Sequence, residues 1–103
     1  METSSATRCL AALAHDGRLG LIRSLVQAGP QGMRMGDLAR LCGLQLTTAS
    51  AQLTVLANAG LVAFARQGRE VHYRADFDRI EGLVAFLMQD CCRPQGKADA
   101  PCC

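Results

Sequence analysis

The sequence predicts a single, mainly α-helical domain that carries one small β-hairpin. Apolar residues recur at helical spacing along most of the chain, and the pattern changes to strand-like segments between residues 61 and 74. Hydrophobic residues make up 50% of the chain, but only four residues are aromatic, so the core is left mainly to Leu, Ala and Val. A chain of 103 residues is about one domain long, which argues against a two-domain enzyme with a deep cleft.

Two helices are predicted at the start of the chain. Ser4 or Ser5 can cap the first helix, and the segment at residues 15–17 is expected to end it. The second helix closes at residues 28–32, where Gly supplies a C-cap and Pro prevents continuation. Its broad apolar stripe consists of Leu19, Leu21, Ile22, Leu25 and Val26.

A helix-turn-helix is predicted next. A short helix runs from Met35 to a break at Gly43, and a second helix begins a few residues later with Thr47 as its cap. Residues 58–60 give a C-terminal signal for this second helix. Two helices joined by a short Gly-containing turn are typical of helix-turn-helix motifs.

A hairpin and a last helix complete the predicted fold. Residues 61–65 and 71–74 flank a Gly-bearing tip, which predicts a two-stranded wing. Asp76 is predicted to cap the last helix, which should continue through Cys91 and end at Pro94. The apolar face of this helix must be covered by its own core or by a second copy of the chain. That face consists of Ile80, Leu83, Val84, Leu87, Met88 and Cys91.

Composition and charge narrow the range of functions. A net charge of +2 and a pI near 8.3 are too mild to establish a nucleic-acid partner, although residues 66–74 are basic and the segment after them is acidic. The longest uncharged stretch, residues 41–65, is interrupted by polar residues and glycines, so no membrane segment is predicted. The first residues lack the features of a secretory signal, so a cytoplasmic location is expected and the six cysteines are interpreted as thiols.

Two cysteine pairs are concentrated near the end of the sequence. Residues 1–92 are predicted to form the folded domain, and residues 93–103 a polar tail that carries Cys102 and Cys103. The other pair, Cys91 and Cys92, is expected at the end of the last helix. Thiolates select soft or thiophilic ions, so these pairs predict a site for such an ion.

The count and spacing of the thiols favour a trivalent ion over zinc. Four sulfurs would suit tetrahedral zinc, but the spacing is not C-x2-C, and neighbouring side chains on a helix point about 100° apart. Trivalent arsenic or antimony needs only three sulfurs. The predicted ligands are Cys92, Cys102 and Cys103, with Cys91 as the alternative because it continues the apolar stripe. Cys9 and Cys42 are expected to be packed residues instead.

Residues 13–22, 37–62 and 66–74 together carry a resemblance to a known family. The first segment is similar to an opening Leu-Ala-Asp-Pro-x-Arg-Leu-x-Ile-Leu, with His15-Asp16-Gly17 in place of Asp-Pro-x, and the third to an Arg-x-Gly-Arg-x-Val-Tyr-Tyr wing. With the helix-turn-helix between them, these segments resemble the ArsR/SmtB family of metal-responsive repressors. The resemblance implies a winged helix-turn-helix that is homodimeric through its terminal helices. It also implies that the dimer binds a palindromic operator in double-stranded DNA and leaves it when a metal or metalloid binds.

The resemblance assigns the second helix of the motif to the major groove. The family usually places a basic or imidazole pair directly after Ser50, but no charged residue occurs between Arg40 and Arg66. Phosphate anchoring must therefore come from the wing, with Arg34 and Arg40 as further candidates. Thr54 is a further exposed position on the helix. The predicted DNA-binding residues are Gln45, Thr47, Thr48, Ser50, Gln52, Arg66, Arg69 and Arg74.

The sequence thus predicts a metalloid-responsive transcriptional repressor with As(III) or Sb(III) as its inducer and Zn2+ as a less favoured one. A repressor of the same fold that senses thiol redox state or persulfides, and one that responds to zinc or another soft metal, remain alternatives. A thiol-rich metalloid carrier without an operator is a hypothesis from another class. No enzymatic activity is predicted, because the sequence shows no nucleophile–base pairing, Gly-rich phosphate loop or paired catalytic carboxylates.

Overall fold

The computed structural model describes residues 1–92. It confirms the mainly α-helical fold and the predicted order of two helices, a helix-turn-helix, a hairpin and a last helix. The predictions for the tail, including Pro94, Cys102 and Cys103, lie outside the described residues. The elements are α1 (Thr3–Leu13), α2 (Asp16–Ala28), β1 (Met33–Arg34), α3 (Met35–Leu41), α4 (Leu46–Asn58), β2 (Val62–Gln67), β3 (Glu70–Ala75) and α5 (Phe77–Leu87).

The N-terminal helix caps follow the sequence prediction in one case and depart from it in two. The Asp76 side chain accepts a hydrogen bond from the Arg79 backbone N–H, so the predicted cap of α5 is confirmed. The prediction of Ser4 or Ser5 as the cap of α1 is wrong, because both lie within its first turn and Glu2 occupies the N-cap position. Thr47 is also inside its helix, and Gln45 is the N-cap of α4.

The sheet has one strand more than the sequence predicted. The strands lie in the order β1-β3-β2, and both pairings are antiparallel. Strand β1 has only two residues, Met33 and Arg34, which is too short for an alternating pattern to be visible in the sequence. It pairs Met33 with Tyr73 and so attaches the start of α3 to the wing.

Apolar side chains from the helices and the sheet meet in one core. Leu21 and Leu25 of α2, Leu53 and Leu56 of α4, and Leu61 before the wing are completely buried. No polar or charged residue is buried among the described residues. The core therefore fixes α4 against α2 through its inner face and leaves its outer face to solvent.

The last helix is shorter than predicted. Helix α5 ends at Leu87, and residues 88–92 form turns, so the prediction that it continues through Cys91 is wrong. Asp90 and Cys92 adopt positive φ angles of 61° and 58°, which a right-handed helix cannot contain. Asp90 also places a negative charge where the helix dipole already accumulates one, which disfavours extension.

None of the helices within residues 1–92 has both the length and the apolar character needed to cross a bilayer. In α5, only Leu83 is buried, whereas Val84, Leu87 and the following residue, Met88, are more than half exposed.

Candidate DNA-binding surface and thiol pair

Helix α4 presents an uncharged polar face to solvent. Ala49, Leu53 and Leu56 lie on its inner side and are fully buried, which determines the side that faces outward. At 3.6 residues per turn, the outer side is centred on residues spaced three and four apart. The residues centred on this outer face are Thr47, Ala51, Thr54 and Asn58, and all four are exposed.

The predicted base-reading residues fall into two groups. Gln45, Thr47 and Thr48 are exposed at the start of α4, whereas Ser50 and Gln52 are half-buried. The Gln52 side chain turns towards the protein, and its Oε1 accepts a hydrogen bond from Arg18 Nη1 at 2.7 Å. The structure therefore brings four of these five residues to the outer or N-terminal side of α4 and engages Gln52 within the subunit.

Arg18 is an organising residue that the sequence analysis did not single out. Its Nε donates a hydrogen bond of 2.6 Å to the carbonyl oxygen of Ala12, near the end of α1. Together with its bond to Gln52, this contact links α1, α2 and α4. The available signal was the position of Arg18 in the opening segment, where it matches the arginine of the family pattern.

The three wing arginines are exposed but do not lie on one face. Residues directly opposite each other on paired strands share a face of the sheet. Arg66 pairs with Val71 and shares the face of Tyr73, whereas Arg74 pairs with Ala63 on the other face. Arg69 lies in the two-residue turn between the strands. Within residues 1–92, no ion pair within 4.0 Å engages any of the three, so their charges are available to phosphates.

The two further candidates for phosphate contact differ in their surroundings. Arg34 forms ion pairs with Asp37, at 3.1 Å, and with Glu70 beside the wing turn, at 2.9 Å. Hydrogen bonding from Arg34 and its positive charge lower the pKa of Asp37 below its usual range. Arg40 contacts the same carboxylate at 3.2 Å, but its side chain is 79% exposed. Arg34 therefore ties β1 to α3 and the wing, and Arg40 retains access to solvent.

A shallow groove separates the wing tip from the start of α4. Its lining combines Arg34 and Arg40 with Arg69, together with exposed Leu46 at the first position of α4. Asp37 and Glu70 also line it, so the groove is not uniformly basic.

Cys91 and Cys92 lie in the turns after α5, with their Sγ atoms 3.4 Å apart. The expectation that they sit on a helix with diverging side chains is therefore wrong, because the chain has already left helical geometry. Cys91 is half-buried and Cys92 is exposed. The two sulfurs are close enough to bind one ion; about 3.8 Å separates two thiolates on tetrahedral zinc with bonds of about 2.3 Å.

The other two described cysteines are packed to different degrees. Cys9 is fully buried, and its thiol lies 3.5 Å from the carbonyl oxygen of Ala59. Cys42 is only half-buried and lies 3.5 Å from the hydroxyl of Ser24. The expectation of packing is confirmed for Cys9 and holds in part for Cys42. Among residues 1–92, no three Cys, His, Asp or Glu side chains converge on a potential metal position.

A helix-turn-helix joined to an exposed basic hairpin defines the winged helix-turn-helix class of DNA-binding domain. A family model described as HVO_A0114 matches residues 14–82. The chain is 33% identical over 86 residues to the biofilm growth-associated repressor of Agrobacterium fabrum (strain C58 / ATCC 33970); the match covers 84% of this chain and 71% of that protein.

Two solved structures are similar in fold and sequence. One is a homodimeric winged helix-turn-helix DNA-binding domain from Mycobacterium bovis, described as a possible ArsR-family transcriptional regulator. It is 32% identical with a TM-score of 0.66, over 84% of this chain and 81% of that one. The other is the AntR antimony-specific transcriptional repressor, 31% identical with a TM-score of 0.68, over 84% of this chain and 77% of that one.

The chain belongs to the HVO_A0114 family and is a transcriptional repressor of the ArsR-family winged-helix type. These relatives are regulators and repressors, which are not enzymes, in agreement with the prediction of no enzymatic activity.

Proposed function

We propose that this repressor responds to a metalloid. It binds a palindromic operator in double-stranded DNA as a homodimer and leaves it when As(III) or Sb(III) binds three cysteine thiolates. The ligands are Cys92, Cys102 and Cys103, and Cys91 is the alternative to Cys92. The observation that carries the proposal is the 3.4 Å contact between the Cys91 and Cys92 sulfurs directly after α5.

The chemistry of the donors supports a trivalent ion. The exposed Cys92 sulfur offers one donor after α5 without rearranging the core, with the Cys91 sulfur beside it as the alternative, and the two tail cysteines supply the other two donors. Three sulfurs complete a pyramid around As(III) or Sb(III), whereas zinc requires four donors in a tetrahedron. The similarity to a repressor described as antimony-specific supports the same choice. Zinc is therefore the less favoured inducer.

Residues 1–92 form the DNA-binding and dimerisation domain in this proposal, and residues 93–103 form the cysteine-bearing tail. Helix α4 is the recognition helix in this proposal, and its outer face enters the major groove. The wing residues Arg66, Arg69 and Arg74 neutralise backbone phosphates on both sides of the wing. Because the arginines lie on two faces of the hairpin, the wing inserts between phosphates rather than lying flat on one strand. Gln45, Thr47, Thr48 and Ser50 approach the bases, and Gln52 acts mainly through Arg18.

The terminal helices form the dimer interface in this proposal. Val84 and Leu87 of α5 and Met88 directly after it are each more than half exposed, and a second copy of the chain would cover them. The Mycobacterium bovis domain, which shares this fold and is homodimeric, supports assembly as a homodimer. Because the thiol pair follows directly after α5, an ion bound there lies next to the interface that sets the spacing of the two recognition helices.

Release from DNA requires that the ion bind the free form more tightly than the operator-bound form. By closing the tail onto the end of α5, the ion biases the dimer towards an arrangement that no longer matches successive turns of the major groove. The protein acts on DNA, and we expect it in the cytoplasm, where its thiols stay reduced.

A gel-shift titration tests the proposal. Operator complexes of the wild type, Cys92→Ser, Cys102→Ser and Cys103→Ser are titrated with arsenite, antimonite, zinc and peroxide. Cys42→Ser is the matched control, because it removes a half-buried thiol at a different place in the fold. We expect metalloid to release the wild type and the control but none of the three site variants. Metalloid release of all three variants would refute the site.

The same titration separates the alternatives. Release by peroxide alone, lost in the same variants, would identify a redox sensor in which a disulfide replaces the bound ion. Release by zinc alone would identify a zinc-responsive repressor. Metalloid binding without any DNA affinity at low salt would favour a carrier and refute the repressor mechanism.

A further inference from the structure

The outer face of the recognition helix is rich in methyl groups and contains no charge. Thr47, Ala51 and Thr54 are exposed at its centre, and Val55 is exposed beside them. Leu46, at the start of the helix, has 56% of its surface exposed. A single exposed apolar residue on a protein surface is ordinary. Here all of these residues lie on the helix that the winged fold directs into DNA.

The hydrogen-bonding groups on this helix are partly used within the protein. The Gln52 amide oxygen accepts from Arg18 at 2.7 Å, so this glutamine is not oriented to read adenine through a bidentate contact. The Thr54 hydroxyl donates to the Ser50 carbonyl oxygen at 2.9 Å, so its exposed side chain offers chiefly a methyl group. Asn58 is exposed but lies eleven residues after Thr47, about 16 Å along the helix axis.

We propose that this helix selects its operator by contacting thymine methyl groups in the major groove. The C5-methyl of thymine is the one apolar group that a base displays there, and Ala and the Thr methyl are suitable partners for it. The operator half-site accordingly carries thymines opposite Thr47, Ala51 and Thr54, and Gln45 supplies hydrogen-bond readout at the helix start. This inference rests on the proposed function, since it requires that α4 enter the groove.

The expected size of each contact follows from burial of one methyl group. Removing such a group from water is worth about 0.8 kcal/mol, which corresponds to an affinity change of about fourfold. Affinity that depends on charge comes from the wing arginines, which do not distinguish thymine from uracil. Exchange of thymine for uracil therefore isolates the contribution of α4.

The experiment uses the full chain and an operator obtained by selection from a random duplex library. Each thymine of one half-site is replaced in turn by deoxyuridine, which lacks only the methyl group, and affinity is measured by fluorescence anisotropy. We expect at least two thymines at which uracil weakens binding about fourfold. Deoxyuridine placed outside the half-site is the DNA control.

Matched variants assign the effect to the helix. Thr47→Ser and Thr54→Ser remove one methyl group each and keep the hydroxyl, so each should abolish the thymine preference at one position. Thr7→Ser is the protein control, because Thr7 on α1 is also exposed and its hydroxyl also donates to the carbonyl oxygen four residues earlier. The control should keep the wild-type ratio of thymine to uracil affinity.

Two results would overturn the inference while leaving the proposed function intact. One is sequence-specific binding with equal affinity for thymine and uracil operators, and the other is a selected half-site that contains no thymine. A full chain that shows no sequence preference for any duplex at physiological salt would overturn the repressor mechanism and this inference together.

Discussion

The chain has His15 where the family pattern has Asp, and His15 still caps the start of α2. Its ring Nδ1 accepts hydrogen bonds from the backbone N–H groups of Gly17, at 3.0 Å, and Arg18, at 3.3 Å. A carboxylate at the family's Asp position would be expected to satisfy the same free donors. The substitution therefore preserves a cap with a different acceptor, and it positions Arg18 for its contacts with α1 and α4.

Replacing His15 with alanine removes this cap. We expect His15→Ala to lower the free energy of unfolding by about 1 kcal/mol, whereas His15→Asp should keep most of it. Urea denaturation at one fixed protein concentration measures the difference, because the proposed dimer formation would make stability depend on concentration. Equal loss in the two variants would show that the ring does not act as a cap.

Two glycines offer a matched comparison of backbone requirements. Gly32 has a φ of 70°, and a Cβ there would collide with the Tyr73 carbonyl oxygen, whereas a Cβ at Gly20 within α2 meets nothing within 4 Å. We expect Gly32→Ala to destabilise the domain by about 1–3 kcal/mol and Gly20→Ala to stabilise it by about 0.5–1 kcal/mol. Thermal unfolding of the two variants checks the opposite signs. A neutral Gly32→Ala would contradict the close approach of β1 to β3.

Single residues were predictable where chemistry acts locally. The Asp76 cap follows from a residue type and its immediate neighbours, so the sequence reveals it. The Gln52 side chain accepts its hydrogen bond from Arg18, which lies thirty-four positions away in the sequence. No local sequence pattern indicates such a contact.

At the scale of elements, Arg34 joins three parts of the DNA-binding unit. Arg34 is the last residue of β1, and its side chain contacts Asp37 in the first turn of α3 and Glu70 at the start of β3. His72, opposite Arg34 on β3, lies 3.7 Å from the same Glu70 carboxylate. This network orients the wing relative to the helix-turn-helix, so wing and recognition helix can approach DNA as one unit.

The lowered pKa of Asp37 makes part of this linkage depend on pH. A carboxylate whose pKa is depressed on folding stabilises the fold above its ordinary pKa, near 3.8, and loses that contribution as pH falls through the depressed value. We expect Asp37→Asn to be less stable than the wild type at pH 7 and to converge with it at low pH. Denaturation between pH 7 and pH 2 measures this.

Asp78 provides the control for that comparison. It also lies in the first turn of a helix, α5, so Asp78→Asn changes the helix dipole interaction in a similar way without removing an Arg34 contact. If Asp37→Asn and Asp78→Asn changed the free energy of unfolding by the same amount at every pH, that result would contradict a specific role for the Arg34–Asp37 pair.

The elements show what periodicity predicts and where it stops. Long helices with buried stripes, such as α2 and α4, appear where the pattern places them. Strand β1 is too short to leave a pattern, and the apolar spacing beyond Leu87 suggested helix where the structure has turns. An apolar stripe that a second subunit covers carries the same periodicity as one that the core covers, so spacing alone cannot fix where the helix ends.

At the scale of the whole molecule, the exposed apolar residues at the end of α5 predict that two copies of the chain associate there. We expect Leu87→Glu, which places a charge at a 58% exposed leucine, to convert the proposed dimer into a monomer and to weaken operator binding. Val26→Glu on α2, at a 41% exposed valine, is the control and should remain dimeric. Analytical ultracentrifugation measures the state of each. A Leu87→Glu protein that still dimerises with wild-type affinity would rule out this interface.

The fold could be predicted because it depends on burial and turn chemistry within one chain. The ligand set remains a prediction. The close approach of the Cys91 and Cys92 sulfurs was not predictable from spacing, because it occurs in the turns that follow α5, where Asp90 and Cys92 have positive φ angles.

The most direct test compares metalloid uptake by the full chain with uptake by a chain that lacks only Cys102 and Cys103. Antimonite or arsenite bound per subunit is measured after gel filtration, and operator release is followed by anisotropy on the same samples. We predict stoichiometric uptake and release for the full chain and the loss of both for the shortened one. Stoichiometric uptake by the shortened chain, accompanied by normal release from DNA, would contradict the proposed site.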